Sequence, residues 1–378
     1  MTAQTTTLRL IPADSGEPRD AVAGPLAVRV RRLAGGRSDG VTLVELSAGR
    51  TTAFVVPDRG LGIWKLVVDG VDIGWRSPVA GPVHPRFVPV ADPSGLGWLD
   101  GFDELVARCG LVSNGAPDFD DRGRVLHPLH GRIANLPAHR LAVTLDEAAG
   151  TITLTGDVDE TRFLFHALRM TTSLTLRTDR PGISWTDTVT NLSDRPTTMQ
   201  MLYHVNLGPP LLGANAEVVA AVDELAPRDA AAVADVPTWN RYDAPQAGRG
   251  EQAHFARLRP DAAGRVTAML VAPGGSRAAA LSWQAAELPC FTLWKNQAGS
   301  ADGYVTGLEP GTNYPNPRSF EESQGRVVPL DPGGSVSFDL ALDMLTGDAI
   351  AVERRRIESL VSASPRIYAT PRSGWSAG

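Results

Sequence analysis

Residues 163–208 read FLFHALRMTTSLTLRTDRPGISWTDTVTNLSDRPTTMQMLYHVNLG. Apolar and β-branched residues alternate with polar ones along this stretch, a period of two that places alternate side chains on opposite faces of a sheet. The run is interrupted only at Arg-Pro-Gly and Ser-Asp-Arg-Pro, which are turn signals. Long antiparallel strands joined by tight turns follow. The same grammar extends upstream through LAVRVRRL (26–33), VTLVEL (41–46), TTAFVVP (51–57), HRLAVTLDE (139–147) and GTITLTGDVDE (150–160). IWKLVVDG (63–70) and VDIGW (71–75) read as two strands around an Asp-Gly turn. Downstream it continues through AGRVTAMLVAP, AAALSWQ, CFTLWKN, YVTGLEP and GSVSFDLALDML. Helical spacing is confined to AIAVERRRIESLVS (349–362). Many closely spaced strands with little helix predict an all-β, mostly antiparallel sandwich with a short C-terminal helix. No propeller or solenoid period is visible. The expected organisation is a loose leader over 1–25, one sandwich domain over 26–348, and a helix and tail over 349–378. Residues 80–127 stand apart as a loop-rich segment with glycine, proline and aromatics, which is the composition of a segment that lines a site.

Composition excludes several classes. A net charge of -6 offers no basic footprint for nucleic acid, and the acidity is spread along the chain. No polybasic or amphipathic anchor for a membrane surface is present. No apolar run approaches the ~20 residues of a spanning helix. The first residues lack a basic start, an apolar core and a cleavage site, so no secretory signal is expected and the cytoplasm is the default compartment. Two cysteines far apart, Cys109 and Cys290, argue against a disulfide framework or structural zinc. Cys109, without a neighbouring base in sequence, reads as a small buried hydrophobe.

Three segments place polar groups inside or at the ends of apolar β runs. LHPLHGRIAN (126–135) carries His127, His130, Gly131, Arg132 and Asn135. TVTNLSDRPTTMQMLYHVNLG (188–208) carries Asn191, Gln200, His204 and Asn206. CFTLWKNQAGSADGYVTGLEPGTNYP (290–315) carries Trp294, Lys295, Glu309 and Asn313. Two imidazoles and a carboxylate from separate strands supply a general acid and a general base, and nearby Arg and Lys would keep the carboxylate ionised. Each residue also has a plainer reading. His204 follows Tyr203 in an apolar strand and fits a satisfied core histidine, Glu309 fits a strand-end cap, and Trp98, Phe102 and Trp294 fit the core as well as a sugar-stacking surface. Asp58-Arg59 fits a buried ion pair in a turn as well as an arginine on sugar hydroxyls. His127 and His130, three residues apart, could with His204 and Glu309 ligate a divalent metal. Failing that, His127 packs a loop.

At these segments the chain resembles the aldose 1-epimerase (galactose mutarotase-like) family. TVTNLSDRPTTMQMLYHVNLG looks like the family's strand pair ending in a catalytic histidine, LHGR like its His-Gly segment, and GLEP like its late strand ending in a catalytic glutamate. PDRGLGIW (57–64), GLGWLDGF (95–102), CGL and NGAP (109–117), LHGRIAN (129–135) and LEPGTN (308–313) are similar to a bacterial branch of that family. The resemblance covers roughly residues 50–335. It implies a β-supersandwich with the ligand on its concave face. It implies Glu309 as the base on the anomeric hydroxyl, His204 as the acid on the ring oxygen, and His130 as a contact to that oxygen or a second acid. No cofactor is then required. Arg59, Arg132, Lys295, Trp98, Trp294 and Asn206 are the expected substrate contacts, with a free or acidic sugar as the small-molecule partner and a homodimer as the assembly left open. Val205 stands where the family has an aromatic, and Arg132 after His-Gly matches the bacterial branch. A metal-dependent lyase or isomerase on an oxidised sugar, or a non-catalytic carbohydrate-binding protein, are the alternatives on the same scaffold.

Overall fold

The computed structural model describes residues 5–11, 19–361 and 364–377. Its strands form two large antiparallel sheets that face each other across an apolar interior. The smaller runs in the spatial order Thr5–Ile11, Arg140–Asp146, Thr151–Arg162, His166–Arg177, Arg180–Asn191, Ser335–Thr346, Arg277–Gln284, Arg265–Val271 and Glu217–Ala220. Alternation in the sequence becomes alternation in burial: in His166–Arg177, Leu168, Met170, Leu174 and Leu176 face the core. The Asp-Gly turn at 69–70 has φ of 51° and 76°, the double left-handed geometry of a two-residue hairpin.

The larger sheet carries the site. Its central strands run Gly62–Val68, Val106–Leu111, Thr197–Leu207, Val305–Gly311, Cys290–Asn296 and Gln252–Leu258 in space. Thr197–Leu207 is buried on both faces. Met199, Met201, Tyr203, Val205 and Leu207 point into the sandwich, while Leu202 and His204 point the other way, beneath a covering segment. This explains why its sequence is a nearly continuous apolar run.

Two expectations need correction. Residues 80–127 are not only loop, because Val106–Leu111 is a strand of the large sheet, buried at every position. Covered on both faces, VARCGL lost the alternation by which strands are recognised. Nor is the N-terminal region a loose leader throughout. Thr5–Ile11 pairs with Arg140–Asp146 and buries Leu8 and Leu10, and Ala21–Ala23 pairs with Leu26–Arg32. Residues 1–4 and 12–18 lie outside the described residues. The expected C-terminal helix is present as Asp348–Ser359, seating Ile350 and Ile357 on Val219, Met269 and Ala278. Residue 362, its expected last position, lies outside the described residues. No helix among the described residues is long and apolar enough to cross a membrane.

Ionic groups also cross the interior. Arg108 Nε donates to Asp187 Oδ2 at 2.6 Å, and both side chains are fully buried. Asp187 also accepts from Tyr203 Oη (2.9 Å) and Thr172 Oγ1 (2.6 Å), while Arg108 Nη1 donates to the Leu61 carbonyl. Every charge there is answered, as a buried ion pair requires.

Candidate active site

His204 and Glu309 are brought together by sheet register. Thr197–Leu207 and Val305–Gly311 are antiparallel with Val205 opposite Leu308, which sets His204 opposite Glu309 on the same face. His204 Nε2 lies 3.3 Å from Glu309 Oε1. Gly307, two residues before Glu309, makes room for the pair: a Cβ there would lie 2.5 Å from Glu309 Oε1 and 3.0 Å from His204 Cε1.

His130 arrives from the covering segment. Its φ of 56° and the 73° of Gly131 form a left-handed turn. A Cβ on Gly131 would meet the Ser113 carbonyl at 2.0 Å, so only glycine fits beside the histidine. The backbone N–H of His130 donates to the Gly115 carbonyl at 2.8 Å, and its ring Nδ1 lies 3.0 Å from the Asn114 carbonyl. A carbonyl oxygen only accepts, so Nδ1 carries the hydrogen and Nε2 keeps a free lone pair. The His130 and His204 rings stand edge to face with centroids 5.4 Å apart.

These three residues line one cavity of about 310 Å³, within the usual size of a small-ligand site. Trp98, Phe102 and Trp294 enclose the His204 ring at centroid distances of 6.3, 5.1 and 5.3 Å. At the mouth, Glu251 accepts from Trp294 Nε1 (2.7 Å) and from Arg228 Nη2 (3.0 Å), and Arg228 Nε also donates to Asp229 (2.7 Å). Three buried polar atoms here, Trp98 Nε1, His204 Nδ1 and Glu309 Oε1, have no hydrogen-bond partner among the described residues. Unanswered buried polar atoms are costly and rare, so they call for an explanation in function.

Burial sets the protonation. It pushes the His130 imidazole down to about 4, against a slight opposing pull from the Asn114 hydrogen bond. Burial, together with the charge of His130, drives His204 well below the ordinary histidine range. Burial drives Glu309 well above the carboxylate range, with Arg228 opposing. Burial thus favours neutral rings and a protonated Glu309. The expectation that neighbouring Arg and Lys keep this carboxylate ionised is therefore overturned: desolvation outweighs the pull of Arg228.

Of the expected substrate contacts, Trp98 and Trp294 reach the cavity. Arg59 does not. Its guanidinium is buried in an ion pair with Glu104, not with Asp58 of its own turn, and donates to Asn135 Oδ1 (2.8 Å) and the Gly101 carbonyl (2.9 Å). Lys295 follows Trp294 in a strand and points to the opposite face, where Nζ donates to Asp235 Oδ2 (2.6 Å) and the Thr238 carbonyl (3.2 Å). Asn206 is buried behind His204 and spends its amide hydrogens on the Glu104 and His204 carbonyls. Arg132 and His127 line a different cavity. The four-residue metal set is thereby broken up, and among the described residues no group of three or more His, Cys, Asp or Glu is placed to hold a metal ion. Cys109 is buried beside Trp98, and burial raises its thiol well above the usual range. Arg228, Glu251 and Thr292 line the cavity without having been singled out in sequence. Thr292 was legible, lying two residues from Trp294 on the same strand face, whereas Arg228 and Glu251 sit at strand ends that no motif marks.

Comparisons with known proteins agree with this geometry. Residues 38–344 match the family described as Domain of unknown function (DUF4432). A Klebsiella pneumoniae protein provisionally assigned as an aldose 1-epimerase superposes with a TM-score of 0.93 at 30% identity, covering 98% of this chain and 100% of that one. A galactose mutarotase-like protein from Clostridium acetobutylicum (TM-score 0.58, 18% identity, 86% and 100% covered) shares the fold. So does galactose 1-epimerase from Lactobacillus acidophilus (TM-score 0.56, 12% identity, 85% and 99% covered). A search of curated protein sequences returned no match. The match over most of the chain and the near-complete superposition have one conclusion: the chain belongs to the DUF4432 family, and its β-sandwich is the galactose mutarotase-like fold.

Proposed function

We propose that this protein is an aldose 1-epimerase-like isomerase that interconverts the anomers of a neutral sugar by acid–base ring opening. The observation that carries the reading is the His204–Glu309 pair, 3.3 Å apart and buried, with Glu309 Oε1 and His204 Nδ1 lacking a hydrogen-bond partner among the described residues. The two groups together hold one exchangeable proton. When a sugar's hydroxyls replace the missing solvent, the ionised form, Glu309 carboxylate and His204 imidazolium, becomes accessible. Glu309 then takes the proton from the anomeric O1–H as His204 gives its proton to the ring oxygen. The C1–O5 bond breaks and C1=O1 forms, leaving an open-chain aldehyde beside a neutral pair. Rotation about C1–C2 and the reverse transfers close the ring on the other carbonyl face. The neutral pair that burial favours is thus the protonation state that accompanies the open-chain intermediate. His130, with Nδ1–H held by the Asn114 carbonyl, presents Nε2 as an acceptor for a sugar hydroxyl. Its low pKa suits it to positioning rather than to proton donation at neutral pH.

A neutral substrate is favoured over an acidic one because the cations expected in the site are elsewhere. Arg59 and Lys295 are spent on buried carboxylates, Arg132 faces another cavity, and Arg228 is matched by Glu251 and Asp229. No cofactor enters this scheme, since matched acid and base suffice for the transfers. The test is anomer exchange measured by NMR or polarimetry on a panel of neutral aldoses. Acceleration that is lost in Glu309→Gln and in His204→Asn supports the proposal. An unchanged mutarotation rate for every aldose with correctly folded protein rejects it.

A further inference from the structure

The turn that delivers His130 has a second side. Leu129 and His130 line the catalytic cavity, while Pro128, Gly131 and Arg132 line another of about 660 Å³, and the two cavities share no lining residue. Arg132 and Arg162 border this second cavity, and among the described residues neither has an ion-pair partner. The Arg162 guanidinium instead stacks over the Phe165 ring, 4.2 Å from its centroid. Behind them, Arg318 donates to the Val112 carbonyl and to Thr198 Oγ1, both uncharged acceptors. His127 and His166 add two imidazoles to the lining. The positive influence of Arg132 and Arg318 reaches both imidazoles and Glu160, so these groups surround one space.

Among the described residues Glu160 is the only carboxylate in this lining, and it forms no ion pair with the arginines. It is buried, with Oε2 accepting from the Leu111 N–H at 2.6 Å and Oε1 4.0 Å from His166 Nε2. Burial raises it to about 7, so much of its charge is absent near neutral pH. Asp118 lies close enough to act on His127 but is engaged by the Ser319 backbone and hydroxyl. In the remaining wall Val112, Leu126, Leu136 and Phe165 are apolar, and Ser113 and Thr161 add hydroxyls. Unpaired guanidinium groups at the edge of a half-apolar cavity fit an oxyanion carried on an organic body rather than a bare ion, because planar N–H donors bind carboxylate and phosphate oxygens in pairs.

We propose that this cavity is a second ligand site, distinct from the His204–Glu309 site, that takes a small organic anion bearing a phosphate or carboxylate group held by Arg132 and Arg162. It does not depend on the epimerase reading. The test is calorimetric titration of the whole protein with glucose 6-phosphate, gluconate and inorganic phosphate, and with glucose as the uncharged control. The expected result is one site for glucose 6-phosphate or gluconate, weakened by salt, retained in Glu309→Gln, and weakened about tenfold or more in both Arg132→Ala and Arg162→Ala. The stronger of the two ligands identifies the phosphate or the carboxylate as the group recognised. Three results overturn the proposal. One is no binding of either anion up to ~10 mM. Another is binding equal to that of glucose and insensitive to both arginine changes. The last is a self-associated protein in which a second copy fills the cavity and excludes the anions. Melting curves of the two arginine variants separate lost affinity from lost folding.

Discussion

The two faces of the large sheet treat buried charge in opposite ways. On the inward face, Arg108 and Asp187 are satisfied by each other and by Tyr203, Thr172 and the Leu61 carbonyl, and Lys295 is answered by Asp235 and the Thr238 carbonyl. On the outward face of the same strands, His204 Nδ1 and Glu309 Oε1 are equally buried and have no hydrogen-bond partner among the described residues. Tyr203 and His204 are neighbours in sequence, as are Trp294 and Lys295, yet in each pair one side chain faces the cavity and the other is hydrogen-bonded on the opposite face. Burial alone therefore does not mark a site. Unused hydrogen-bonding capacity gathered around one cavity, as at Trp98, His204 and Glu309, does; scattered buried atoms without partners, such as Thr51 Oγ1 and Trp185 Nε1, occur elsewhere as well.

The contrast can be broken most directly at Glu309. Glu309→Gln keeps the shape and removes the base, so anomer exchange should fall about 10²–10⁴-fold while the melting temperature holds or rises. A large loss of stability with retained activity would move Glu309 to the structural side. Arg108→Met should do the reverse: it strands the Asp187 charge and should cost about 3–5 kcal/mol of unfolding free energy in urea. The double change Arg108→Met with Asp187→Leu should recover most of that loss, since no buried charge is then left unpaired.

A pH titration of stability sharpens the comparison further. His130 titrates at about 4 in the folded protein and near 6.5 unfolded. Between those values the unfolded chain binds the extra proton. The contribution of a neutral His130 is thus present above pH 6.5 and is lost as pH falls toward about 4. Glu160, raised from 4.5 to about 7, acts with the opposite sign and withdraws stability as pH rises from 4.5 through about 7. Urea unfolding of His130→Gln should lack the first slope, and that of Glu160→Gln the second. The smallest functional effect is expected for Lys295→Met. Turnover per folded molecule should match the parent, with the change confined to stability. A fall in turnover without destabilisation would return Lys295 to the site.

Much of the fold was legible because a half-buried strand writes its period into the sequence, as in His166–Arg177 and Arg180–Asn191. Where both faces are covered the writing fades. Val106–Leu111, buried at every position, therefore passed for loop. Within the site, His130, His204 and Glu309 were legible from polar residues interrupting apolar runs and from the resemblance of their segments to the aldose 1-epimerase family. The misplaced Lys295 was partly avoidable, since adjacent strand residues face opposite ways and Trp294 and Lys295 could not both reach one ligand. Nothing local marked Arg228 and Glu251, which meet only because separate strand ends converge at the cavity mouth.

What the sequence determined by itself is therefore whatever depends on nearest neighbours along the chain: strand period, turn positions, and the glycines that permit close approach at Gly131 and Gly307. Which carboxylate opposes which imidazole, which arginine is answered and which left free, and whether Glu309 carries a proton were decided only by tertiary structure. Those properties depend on distance and desolvation between segments far apart in sequence, such as those of His204 and Glu309, 105 positions apart, and no local pattern encodes them.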